Sequence, residues 1–137
     1  MRLWKDAEGH EYKTQITVAE VRNLKSELGV NLMEIASGDL LQRISDDICL
    51  LCDILYVIHR EQAQAFGITD ADFGRNLYGD ALEDATHAFM EETINFFPSA
   101  KTRALLKKAM VKGQERMDEA LAKAEQELDK ELSKPIE

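Results

Sequence analysis

Apolar positions along the chain fall mostly at helical spacing, with one exception near the start. There Tyr12, Thr14 and Ile16 alternate with Glu11, Lys13 and Gln15, the period of two that marks a strand. Residues 1–5 supply a partner strand, and Asp6-Ala7-Glu8-Gly9 supplies a turn in which Gly9 accepts positive φ. A two-stranded hairpin is marginal alone. Trp4, Tyr12 or Ile16 must therefore pack against helices, or the hairpin must pair with another chain.

From Thr17 onward the period becomes helical. Thr17 and Glu20 form a capping box. The helix it opens carries Val18, Val21, Leu24 and Leu28 on one face, and Gly29 stops it. Residues 30–36 fit a short helix or an extended connector equally well. Ser37-Gly38-Asp39 breaks the chain again, and Asp39 caps a short helix containing Leu40, Leu41 and Ile44. Asp46 and Asp47 then place negative charge at the start of the most apolar segment, 47–66. Between Ile48 and Ile58 only Asp53 interrupts that run. Eleven residues are too few to cross a bilayer, which takes about twenty. The segment reads as a central helix, core around most of its circumference, both cysteines included. Asp46, Asp53, Arg60 and Gln64 trace one wet seam along it, with Asp53 solvated or paired to an arginine.

Gly67 ends the central helix. Thr69 to Asp72 resembles a second capping box, opening a short helix with Phe73 and Leu77 that closes near Gly79. Asp80 and Glu83 start the next helix, whose apolar face is Leu82, Ala85, Phe89 and Phe96, and Pro98 stops it. Ser99 caps a long final helix to about Ser133, with Leu105, Leu106, Ala109 and Met110 facing the core. After Gly113 the residues become strong helix formers with little to bury. The predicted fold is mainly α: a small helical bundle around one buried central helix, with an N-terminal β-hairpin and a long C-terminal helix. The predicted division is 1–113 as the helical domain and 114–137 as a projecting helix and tail.

Composition narrows the function classes. The 137 residues suit one ordinary domain, and the scarcity of proline (two) and glycine (seven) favours helices. A formal charge of −9 repels phosphate and anionic lipid, which argues against nucleic-acid and membrane partners. The first thirteen residues carry no apolar signal-peptide core, so the expected compartment is the cytoplasm. Seven acids against Arg75 alone in 70–92 read as a solvated face or, less readily, as a dock for a basic partner.

Candidate chemistry is sparse. Cys49 and Cys52 form a CxxC, but inside an apolar helix rather than at an exposed turn, and no second pair completes a zinc site. Asp53 lacks convergent partners for proton transfer. Asp84, His87 and Glu91 share a helix face, but a helical di-iron site needs that motif twice with further glutamates. No phosphate loop, GxSxG or HExxH is present. These residues predict no catalytic site, no cofactor and no metal. What remains is a thin apolar stripe on the final helix, at Met110, Met117, Leu121, Ala124, Leu128 and Leu132. It approximates a coiled-coil seam for about two heptads. It reads equally as a frayed, solvated C-terminal helix or as a surface that binds a helix from another chain or a second copy, in a homo-oligomer.

The order of features from Thr17 to Pro98 resembles the tail assembly chaperones of long-tailed bacteriophages. The matching parts are VAEVRNLKSELGVNL, DDICLLCDILYVI, GITDADFGRNL, GDALEDA and ETINFFP. The resemblance implies a small helical cytoplasmic protein, not an enzyme. It would bind the tape-measure protein, keep that long helical chain soluble and help recruit tail-tube subunits. The rival class is a structural virion or oligomeric scaffold protein, in which the hairpin edge and final helix build a ring or filament.

Overall fold

The computed structural model describes residues 1–135. Two strands, β1 (Arg2–Lys5) and β2 (Glu11–Thr14), precede six helices. These are α1 (Val18–Leu28), α2 (Leu40–Asp46), α3 (Ile48–Ala65), α4 (Asp70–Arg75), α5 (Gly79–Phe96) and α6 (Ala100–Leu132). Two units result: residues 1–99, and a second beginning at Ala100.

The first unit is a helical bundle with α3 at its centre and the hairpin built into its core. β1 and β2 pair antiparallel, with Trp4 opposite Tyr12 and Arg2 opposite Thr14. The turn is held by Asp6, whose carboxylate accepts the backbone N–H of Glu8 (3.0 Å) and His10 (2.9 Å). Gly9 completes it at φ 87°. Asn76, just after α4, receives the Ala7 N–H on its carbonyl at 3.0 Å, which fastens the turn to the helices. α5 packs mainly on β1, while α3 packs on α1, α2, α4 and β2. The hairpin thus stands between the two longest helices of its unit.

Helix starts follow local chemistry. The Thr17 side chain accepts from the Ala19 N–H while Glu20 reaches back to the Thr17 N–H at 2.7 Å. Asp47 accepts from the N–H groups of Cys49 and Leu50, and Thr69 from that of Asp72. Gly29 ends α1 in the left-handed region at φ 66°. Residues 32–35 form a single 3-10 turn, begun by the Asn31 side chain accepting the Met33 N–H. Asp39 precedes α2 without a side-chain cap.

Three placements differ from the pattern-based reading. Gly79 does not close α4, which ends at Arg75; it is the first residue of α5. α3 is buried along one face only, at Leu51, Ile54, Leu55, His59 and Ala63, while Ile48 and Cys49 are exposed. The run of apolar letters hid that asymmetry, because only the packing partners select a face. Leu105, expected to face the core, is 67 % exposed, and no residue of α6 is buried. Leu105, Leu106, Ala109 and Met110 therefore do not serve as core. As a lone helix, the second unit has no other element of its own to bury a face against. Among the described residues no helix is long and apolar enough to cross a membrane.

Candidate functional site

A buried polar cluster in the first unit surrounds His59, which is fully buried on α3. Residues 51, 55, 59 and 63 recur every four positions, so α3 aims this imidazole at the inner face of the hairpin. The His59 Nδ1 lies 2.7 Å from the Leu55 carbonyl oxygen, which can only accept, so Nδ1 carries the proton. Nε2 is then the acceptor for the Thr14 hydroxyl at 2.7 Å. The Trp4 indole N–H donates to Thr14 Oγ1 at 2.9 Å. The hydrogen bonds run from Trp4, which also donates to His59 Nε2 at 3.3 Å, through Thr14 and His59 to the Leu55 carbonyl. Burial pushes the His59 pKa down to about 4. The ring is neutral and enclosed by Trp4, Tyr12 and Phe73. It has no open position for a substrate, and its role is to join hairpin and helix.

Tyr12 stacks on Trp4 with centroids 4.7 Å apart, and its hydroxyl is buried without a hydrogen-bond partner. Burial, reinforced by Asp6, pushes that hydroxyl up to about 12. A buried unpaired hydroxyl costs stability that its removal recovers. Tyr12→Phe is expected to raise stability by up to about 1 kcal/mol, read from thermal unfolding. A loss of that size would show the hydroxyl to be bonded.

The sequence-derived chemical candidates separate in space. Cys49 is exposed and Cys52 half-buried, both as free thiols. Burial, then the carboxylates of Asp53 and Asp70, push the Cys52 thiol up and away from nucleophilic use. Asp53 is exposed to solvent. Arg60 does not pair within its own helix: its guanidinium grips Glu27 of α1 with two bonds, 2.6 and 2.8 Å. That grip holds the Glu27 carboxyl below its usual range. His87 and Asp84 are exposed, and Glu91 is taken by Arg2. Glu92 is buried and receives the Met1 amino group at 2.9 Å. Part of the acidic stretch therefore anchors the hairpin instead of facing a partner. Among the described residues no three acids, histidines or cysteines come together as a metal-binding group.

A groove of about 520 Å³ runs between β2, α1 and α3, lined by Lys13, Glu20, Asn23, Arg60 and Gln62 among others. Its lining mixes polar and apolar residues, and Arg60, Glu20 and Gln62 are each bonded within the protein. The Gln62 amide pairs with the Lys13 backbone in both directions, accepting its N–H at 2.7 Å and donating to its carbonyl at 2.8 Å. This side-chain amide covers the outer edge of β2 as a third strand would.

The predicted partner-binding residues all lie on α6. Met117, Leu121, Leu128 and Leu132 are 56, 60, 57 and 75 % exposed. Ala124 is exposed as well, and Met110 is partly covered. Their spacing of seven, four, three, four and four aligns them in one strip along a helix of 33 residues, about 50 Å long. Compared with protein-family models, curated proteins and solved structures, the chain matches none of them. The α6 strip is the one sequence-derived candidate whose residues form a continuous, accessible surface. The His59 cluster escaped the sequence reading, because its partners lie 45 and 55 residues away.

Proposed function

We propose that this chain is a non-catalytic assembly factor that binds helical protein partners through α6, acting as a phage tail assembly chaperone. The observation that carries the binding role is α6 itself. Its 33 residues include none that is buried, yet large apolar side chains recur along one strip. Aligned apolar side chains left in water mark a contact surface when they form a stripe rather than scattered singletons. The same residues bind an amphipathic helix by laying apolar strip on apolar strip. The flexible Met110 and Met117 adapt to irregular clients. A net charge of −9 keeps the resulting complex soluble.

The choice of client rests on the order of features between Thr17 and Pro98, which resembles the tail chaperones. On this reading the chain shields the long helical tape-measure protein in the host cytoplasm and helps tail-tube subunits assemble on it. The test is co-expression with that client. The expected result is co-purification and a several-fold rise in soluble client, lost in a Met117→Asp, Leu121→Asp variant that keeps its helix content. No co-purification and no change in yield would contradict the proposal.

A further inference from the structure

The charges of α6 are segregated along its length. Residues 101–116 hold six basic side chains (Lys101, Arg103, Lys107, Lys108, Lys112, Arg116) against Glu115 alone. Residues 117–134 hold six acidic ones (Asp118, Glu119, Glu125, Glu127, Asp129, Glu131) against three lysines. This order opposes the helix dipole, which favours acids at the N-terminal end and bases at the C-terminal end. It also sets like charges four residues apart, as at Lys108, Lys112 and Arg116 or at Glu127 and Glu131, where they repel within the helix. Neither feature stabilises an isolated helix. Both are relieved when the basic half lies beside an acidic half.

A second copy of α6, run in the opposite direction, supplies that acidic half. We infer that the partner of the α6 strip is a second copy of this chain, paired antiparallel through α6 about a two-fold axis. The inference rests on the reading of α6 as a binding surface and names what fills it. In a two-fold pairing each contact occurs twice. The register that keeps apolar opposite apolar sets Met117 against the partner's Leu121 and Met110 against the partner's Leu128. Gln114 then meets the partner's Ala124 with room to turn its amide outward. The same register brings Lys107 to the partner's Glu131, whose carboxylate also holds its own Lys134 at 2.8 Å, so that a mixed-charge cluster closes each end of the seam. Parallel pairing would lay six basic residues beside six basic residues and is disfavoured by the same charges.

The full chain alone is the material for the test, by analytical ultracentrifugation over a concentration series. Lys107→Glu and Glu131→Lys lie on exposed positions, and circular dichroism checks that each keeps its helix. The expected result is a reversible dimer that each single reversal weakens about tenfold, since the pair occurs twice. The double variant restores the dimer to within about threefold of the parent, because the pair is re-formed with its signs exchanged. A chain that stays monomeric up to about 100 μM, weaker than any specific pairing of this size, would overturn the inference. So would a Lys107→Glu change that tightens the dimer, as parallel pairing requires, or a double variant that remains weak. A monomer that nevertheless binds the tape-measure client would refute the self-pairing and leave the proposed function standing.

Discussion

Trp4→Ala is expected to cost about 3–5 kcal/mol in urea unfolding, a large share of the stability of an ordinary small domain. The indole is buried against Tyr12, His59 and Phe73, and its N–H starts the hydrogen-bond chain through Thr14. Truncation removes the ring contacts and leaves Thr14 with one partner fewer. The neighbouring Leu3 points to the other side of the same strand and is 51 % exposed. Leu3→Ala should therefore cost no more than about 0.5 kcal/mol. The contrast between adjacent residues is the signature of a hairpin built into the core by one face. Equal, small losses at both positions would mean that the hairpin is an appendage.

The second large effect is on pH. The folded state holds His59 neutral, with its pKa down at about 4 because of burial. In the unfolded chain the same imidazole titrates near 6.5. Between those values the unfolded state binds the extra proton and the folded state does not, so stability rises with pH. The contribution is fully present above about pH 6.5 and is lost progressively down to about pH 4, amounting to about 3 kcal/mol. Protonation would place a second donor on Nε2, where the Thr14 hydroxyl already donates. Urea midpoints across that window should fall steeply in the parent and more gently in His59→Leu, with other acid-sensitive groups common to both. An NMR titration that shows the His59 ring gaining its proton near pH 6.5 would contradict the buried, directional arrangement.

The parts of the fold that local chemistry dictates were legible in the sequence. Thr17 with Glu20, Asp47 and Thr69 mark helix starts because each satisfies backbone donors within three residues of itself. Gly9 and Gly29 mark turns because both adopt positive φ. The α6 strip was legible for the same reason, since a single helix face is a matter of spacing. Contacts between distant residues were not. His59 reads as one more residue of an apolar helix until Trp4 and Thr14 arrive from the hairpin. Cys49 reads as core because periodicity cannot choose a face within a nearly unbroken apolar run. Leu105 and Met110 read as core because apolar letters at helical spacing do not say whether a partner exists. Residues expected to be core there are instead candidate surface.

The division of labour between a folded unit and a binding helix is the central claim, and truncation after Ser99 tests it most directly. The account predicts that residues 1–99 unfold cooperatively, with stability within about 0.5 kcal/mol of that unit in the full chain. It also predicts that they sediment as a monomer and no longer hold a helical partner. A truncated chain that is unfolded, or that still associates, would contradict the account.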